Sequence, residues 1–127
     1  MERIRESFAR QTFMTTIGAR LTRVEPGAIE IELPFRADLL QQSGTLHAGV
    51  ISSIADNACG YAALSLFPEG ANVVSVDFTI SFLAPVTGDI VARGRVLRSG
   101  KTLSFTAADV FAGETLVATM SATIMRR

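Results

Sequence analysis

Few residues in this 127-residue chain can do chemistry, and most of them gather in one segment. Asp56 is the only charged side chain in a run from Ala48 to Phe67 that is otherwise apolar, small or uncharged. Burying a lone carboxylate is costly unless it is paired or hydrogen-bonded. Asp56 is therefore either a structural residue reaching an arginine or a cavity water, or a general base or nucleophile beside a substrate pocket. His47, the single histidine, stands just ahead of the run. It reads equally as a helix-start residue satisfying backbone groups or as a participant in the reaction. Ala48 and Gly49 lie at or near a helix N-terminus, where free N–H groups and the positive end of the dipole suit a developing oxyanion. Donors of that kind beside a carboxylate suggest acyl transfer or hydrolysis. Cys59, one turn beyond Asp56, reads as an inert buried thiol rather than a nucleophile.

Helix geometry constrains how these groups meet. Nine positions separate His47 from Asp56, which is about 180° around a helix and about 13.5 Å along it. The two cannot touch within one helix, so a reaction using both takes them from different subunits and implies a two-fold dimer. One histidine and one cysteine leave no basis for a His- or Cys-rich metal site. The chain carries neither a G-x-S-x-G elbow nor a G-x-G-x-x-G turn.

The elements that must position these residues follow from composition and periodicity. Length fits a single domain over 1–127, and 48% apolar against 19% charged residues excludes a disordered chain. Twelve basic and twelve acidic residues cancel, leaving no basic footprint for nucleic acid. A charged opening stretch argues against a signal peptide, and one cysteine precludes an internal disulfide, so a cytoplasmic location is expected. The apolar run is long enough to span a bilayer, but Asp56, Asn57 and several serines favour a helix buried inside a fold, with no membrane partner.

Ile4, Phe8 and Phe13 predict a short amphipathic helix from Met1 to about Thr16. Ala19–Glu25 and Ala28–Leu33 flank the Pro26-Gly27 turn as a hairpin. Four alternating segments follow the helix, the first over Asn72–Leu83 with Val74, Val76, Phe78, Ile80 and Phe82 on one face. Ser75, Asp77, Thr79 and Ser81 fall on the other. The sum is an α+β fold, a curved antiparallel sheet of about six strands wrapped around one long central helix, its outer face available to a second subunit.

Gly44-Thr45-Leu46-His47-Ala48-Gly49-Val50, followed by Ile54-Ala55-Asp56-Asn57, resembles the T-L-H-G-G…D signature of the PaaI-like family of hotdog-fold acyl-CoA thioesterases. Val74–Ile80 and Gly100–Phe105 are also similar, and the resemblance runs from about Gly18 to the C-terminus. It implies a hotdog fold, an acyl-CoA substrate, hydrolysis to a carboxylic acid and CoA without metal or redox cofactor, and dimers pairing into homotetramers. By this resemblance Asp56 is the general base or nucleophile, and the Ala48 N–H polarises the thioester carbonyl beside Gly49. His47 positions the thioester or its leaving sulfur, and Ser75 orients the attacking water. Asp56 and Ser75 would come from one subunit and the loop donors from the other.

Two positions depart from the pattern. Gln41 stands where Asn is frequent, keeping the amide with one more methylene, and Ala48 stands where Gly is usual, keeping the N–H but adding a Cβ. Arg93, Arg95, Arg98 and Lys101 are candidates for the CoA phosphates, although a solvated strand edge explains the same charges. The acyl pocket would be lined by the helix and the N-terminal region, with Phe8, Phe13 and Met14 either covering it or simply packed. A non-catalytic acyl-CoA or acyl-carrier binding module is the alternative from another class. A hotdog hydratase or dehydratase is a further one, which the Leu46-His47-Ala48-Gly49 context opposes.

Overall fold

The computed structural model describes residues Met1–Arg127. The long apolar run forms α3, Ala48–Leu66, whose buried residues include Ile51, Ile54, Ala55, Ala58, Cys59 and Ala62. Six strands make one antiparallel sheet: β1 (Arg20–Glu25), β2 (Ala28–Leu33), β3 (Val73–Phe82), β4 (Ile90–Ser99), β5 (Leu103–Ala112) and β6 (Thr115–Arg126). Their order is β1-β2-β4-β5-β6-β3, which leaves β1 and β3 at the two edges. The sheet curls around α3, which packs on β2 to β6, and a single apolar cluster fills the space between them. This is the hotdog arrangement implied by the resemblance. No helix is long and apolar enough to cross a membrane.

Helix and sheet come closest at Gly94 of β4. A Cβ there would lie 2.5 Å from the Ala58 carbonyl oxygen, so the absence of a side chain lets α3 settle onto the sheet. The C-terminal end of α3 is held from outside the helix. Arg3 donates to the carbonyls of Leu64, Ser65, Phe67 and Pro68, at 2.7 Å for Phe67, which satisfies orphan acceptors and complements the dipole.

Two expectations change. The N-terminal helix is two helices, α1 (Glu2–Ala9) and α2 (Thr12–Ile17), separated at Arg10-Gln11. Gln11 is extended there, with φ −77° and ψ 103°. Apolar spacing runs through this break because both pieces bury side chains, Ile4 from α1 and Met14 and Ile17 from α2. In β3 the simple alternation fails. Ser75 pairs with Ile124 and Asp77 with Thr123, so the strand carries one extra residue at Val76. This bulge shifts the side-chain phase by one. Ser75 therefore shares the helix-facing side with Phe78, Ile80 and Phe82 instead of opposing them.

Candidate active site

The bulge brings Ser75 to Asp56. Ser75 Oγ donates to Asp56 Oδ1 at 2.6 Å, while Oδ2 has no protein donor. Asp56 is half-buried, takes part in no ion pair, and lines a cavity of about 220 Å³ with Ser75, Asn57, Tyr61 and Gln11. A carboxylate with one oxygen anchored and the other facing a cavity is fixed in orientation and free to accept a proton.

The loop before α3 forms a second cavity of about 390 Å³, lined by Gln41, Thr45, Leu46 and Ala48 and by Phe82 to Val86 beyond the end of β3. Backbone bonds tie this loop down: His47 N donates to Leu39 O and Leu46 N to Val86 O, both at 2.9 Å. His47 is the N-cap of α3, and its Nδ1 accepts the Gly49 N–H at 2.7 Å. An accepting Nδ1 leaves the proton of the neutral ring on Nε2, which faces solvent as a donor. Gly49 must be glycine for this cap, since a Cβ would sit 2.8 Å from Nδ1. In the first turn, the Val50 N–H bonds to His47 O and the Gly49 N–H to the His47 ring. The Ala48 N–H alone has no acceptor, and it is exposed.

Gln41 folds back on its own turn. Its carbonyl accepts the Ser43 N–H and its amide donates to Thr45 Oγ1, both at 2.5 Å, which the added methylene permits. One amide proton is left over.

Within one chain the expected residues thus fall into two groups. Asp56 and Ser75 meet in the first cavity; Gln41 and Ala48 line the second, about 12 Å away along α3, and His47 and Gly49 flank Ala48 in sequence without lining it. The basic residues also divide. Arg93 stacks 4.8 Å over the Phe111 ring and has Nε 3.8 Å from Glu30, while Arg95 pairs with Asp109 at 3.2 Å, all on the sheet face away from α3. Arg98 and Lys101, exposed at the β4–β5 turn, have no ion-pair partner. Strand pairing runs from Ser75 through Ile124 and Ser104 to Ser99. The turn therefore shares an end of the sheet with Ser75, three strands or roughly 14 Å across. Cys59 is fully buried, and burial pushes its thiol up to about 11, so it has no thiolate to offer near neutrality.

Sequence reasoning missed a polar cluster in the first cavity. Gln11 Nε2 donates to Tyr61 OH at 2.7 Å and to Asn57 Oδ1 at 3.2 Å, and Asn57 Nδ2 donates back to Gln11 Oε1 at 3.0 Å. Ser7 Oγ lies 3.0 Å from Tyr61 OH. Of the aromatic and Met covers expected, Met14 is buried, Phe8 packs against Tyr61 at 6.0 Å, and Phe13 is exposed. The available signal was Asn57, a second polar residue beside Asp56 in an apolar helix.

Known proteins match this architecture. The Thioesterase superfamily model covers residues 43–119, which include the loop, α3, Ser75 and most of the sheet. Acyl-coenzyme A thioesterase 13 of Homo sapiens is 36% identical over 92 residues, covering 71% of this chain and 65% of the human protein. A thioesterase family protein from Silicibacter pomeroyi superposes with a TM-score of 0.96 and 42% identity, covering 98% of this chain and 96% of that one. The E. coli PaaI protein from the phenylacetic acid degradation operon shares the fold at a TM-score of 0.90, with 21% identity and coverage of 97% and 89%. The chain belongs to the thioesterase superfamily, a group of thioester hydrolases.

Proposed function

We propose that the protein hydrolyses acyl-CoA thioesters at a site that two copies of the chain build together. The observation that carries this reading is the position of the two cavities at opposite ends of one edge strand. The first touches Val73 and Ser75 near the start of β3, and the second touches Phe82 and Leu83 at its end. Val76, Phe78, Phe82 and Leu83 are 43–54% exposed along this unpaired edge, an arrangement that invites a partner strand. A second copy joined antiparallel about a two-fold axis near Phe78–Thr79 brings each Ser75 beside the other copy's Phe82. Asp56 of one copy then faces the Ala48 N–H of the other. Gly49, Ser52, Ser53 and Asp56 lie along one side of α3, and small side chains there allow the two helices to approach.

The chemistry follows. Asp56 Oδ2 takes a proton from a water that attacks the thioester carbonyl carbon, while Ser75 holds the carboxylate and accepts from the same water. The carbonyl oxygen becomes an oxyanion bound by the Ala48 N–H at the positive end of α3, with the spare Gln41 amide proton nearby. Collapse breaks the carbon–sulfur bond. The CoA thiolate leaves toward His47 Nε2–H and is protonated by the acid formed on Asp56, giving carboxylic acid and CoA. Of the four basic candidates, Arg98 and Lys101 are free to meet CoA phosphates, whereas Arg93 and Arg95 are engaged with acids on the outer face. Exposed Leu103, Phe105 and Met125 on that face suit the pairing of dimers into a homotetramer. A reducing, cytoplasmic setting agrees with the single unpaired cysteine.

The deciding experiment is Asp56→Asn, assayed by thiol release from a panel of acyl-CoA esters and by direct binding. A thioesterase loses at least a hundredfold in kcat and still binds ester. A wild-type protein that binds esters but cleaves none above background is a binding module instead. Single turnover in ¹⁸O water with subsequent mass analysis of the protein tests the role of Asp56, because label entering that side chain makes it the nucleophile.

A further inference from the structure

Gln41 and Thr45 are the polar side chains in the otherwise apolar lining of the second cavity, and they bond to each other. Gln41 Nε2 donates to Thr45 Oγ1 at 2.5 Å, and Gln41 Oε1 accepts the Ser43 N–H at 2.5 Å. A backbone N–H can only donate, so the Ser43 contact identifies the amide oxygen and leaves the nitrogen facing Thr45. The Thr45 hydroxyl is then the acceptor of that pair. With the oxygen and one proton both engaged, the amide plane is set and the second amide proton has a single direction.

The turn itself does not need this bond. Gln41 N donates to Thr45 O at 2.9 Å and Gly44 N to Gln41 O at 3.1 Å, and Leu40 bridges to Leu46. What the side-chain pair fixes is the amide. Asparagine, frequent at this position in the family, bonds readily to the backbone two residues on. Glutamine makes the same contact to Ser43 but has one more rotatable bond, and a long side chain left loose keeps its rotamer freedom. Thr45 supplies the second anchor that the extra methylene calls for.

We propose that Thr45 is a positioning residue: it holds the spare Gln41 N–H toward the thioester carbonyl oxygen that the Ala48 N–H binds, an inference that rests on the acyl-CoA thioesterase reading. Thr45 acts through Gln41 and not on the substrate. A donor aimed in advance counts most as charge develops on that oxygen, so the effect belongs in kcat more than in KM.

Thr45→Val keeps the shape of the side chain and deletes the acceptor. It should lower kcat about tenfold and leave KM within about twofold of wild type. Thr45→Ser, which retains Oγ, should restore most of the lost kcat. Gln41→Met removes the amide at nearly equal length and should cost about 10²–10³ in kcat, the usual effect of losing an oxyanion donor. Adding Thr45→Val to Gln41→Met should then cost nothing further, because the group that Thr45 aims is already gone. A second readout is independent of turnover. In ¹⁵N spectra the Gln41 side-chain amide, identified by its loss in Gln41→Met, should have a heteronuclear NOE like that of the ordered backbone in wild type and a much lower one in Thr45→Val. Full kcat in Thr45→Val, losses that simply add in the double variant, or an equally ordered amide in both proteins overturns the inference and leaves the thioesterase reading intact. A wild-type protein that cleaves no acyl-CoA ester overturns the thioesterase reading, and the inference with it.

Discussion

Ala48 permits an unusually clean deletion, because proline is well tolerated at the first position of a helix and removes only the N–H. His47 before it has φ −63° and ψ 135°, the extended conformation that a following proline prefers. Ala48→Pro should therefore leave the melting temperature within a few degrees of wild type. It should lower kcat by about 10²–10³, the usual effect of losing one oxyanion donor. A variant that folds normally and keeps full kcat would exclude Ala48 as the donor. Cys59 makes a different prediction. Burial raises its thiol from the ordinary 9.0 to about 11, so the folded protein holds this proton more tightly than the unfolded chain. The stability involved is fully present below about pH 9 and is lost as pH rises toward 11, by about 2–3 kcal/mol at most. Urea midpoints measured from pH 8 to 11 should fall more steeply for wild type than for Cys59→Ala; parallel curves would show that the thiol is not the cause. Ser104 is a buried hydroxyl with no hydrogen-bond partner. Ser104→Ala should be neutral or stabilising by up to about 1–2 kcal/mol, read from the same midpoints.

Secondary elements matter here through their irregularities, and these were the least legible part of the sequence. Twenty nearly uncharged residues announce α3, and alternation announces the strands, because both patterns follow from burying one face or one stripe. The Asp56 and His47 positions were readable for the same reason: polar groups stand out against apolar surroundings. The β3 bulge was not. Alternation from Val74 to Phe82 is unbroken in the sequence, and only pairing with β6 reveals the extra residue that turns Ser75 toward α3. Likewise, the break at Arg10-Gln11 carries no proline or glycine, and contact with Asn57 and Tyr61 accompanies it. Gly94 sits in an alternating strand pattern with nothing in the sequence to mark it, and only the structure shows that it admits the helix. Gly94→Ala should push α3 off the sheet at Ala58, two residues from Asp56, and lengthen the reach to Ser75. Overpacking of this kind costs about 1–3 kcal/mol, and kcat should fall by at least tenfold, since small misplacements in a site are expensive. Unchanged urea midpoint and kcat would mean that the helix accommodates the methyl without moving.

On the scale of the whole molecule, each chain carries two incomplete halves of the proposed site, and their separation makes the assembly testable by mixing defects. An Asp56→Asn chain retains the Ala48 N–H, and an Ala48→Pro chain retains Asp56. In a dimer containing one of each, a shared site draws Asp56 from the second chain and the N–H from the first, so one of the two sites is whole and the other is doubly defective. Random assembly makes half the dimers mixed, and the preparation should recover about a quarter of wild-type activity. If each site were built within a single chain, every site in the mixture would lack one group, and activity would stay at the level of the separate variants. Co-expression with two affinity tags isolates the mixed dimer, whose activity should then approach half of wild type. A charged substitution on the edge strand supplies the complementary experiment. Phe78→Lys places a cation in the middle of the apolar edge, where the two-fold axis would fall. It should yield monomers in sedimentation equilibrium that remain folded but inactive. A Phe78→Lys protein that stays dimeric and active would move the interface away from β3 and overturn the proposed pairing of Asp56 with the other copy's Ala48.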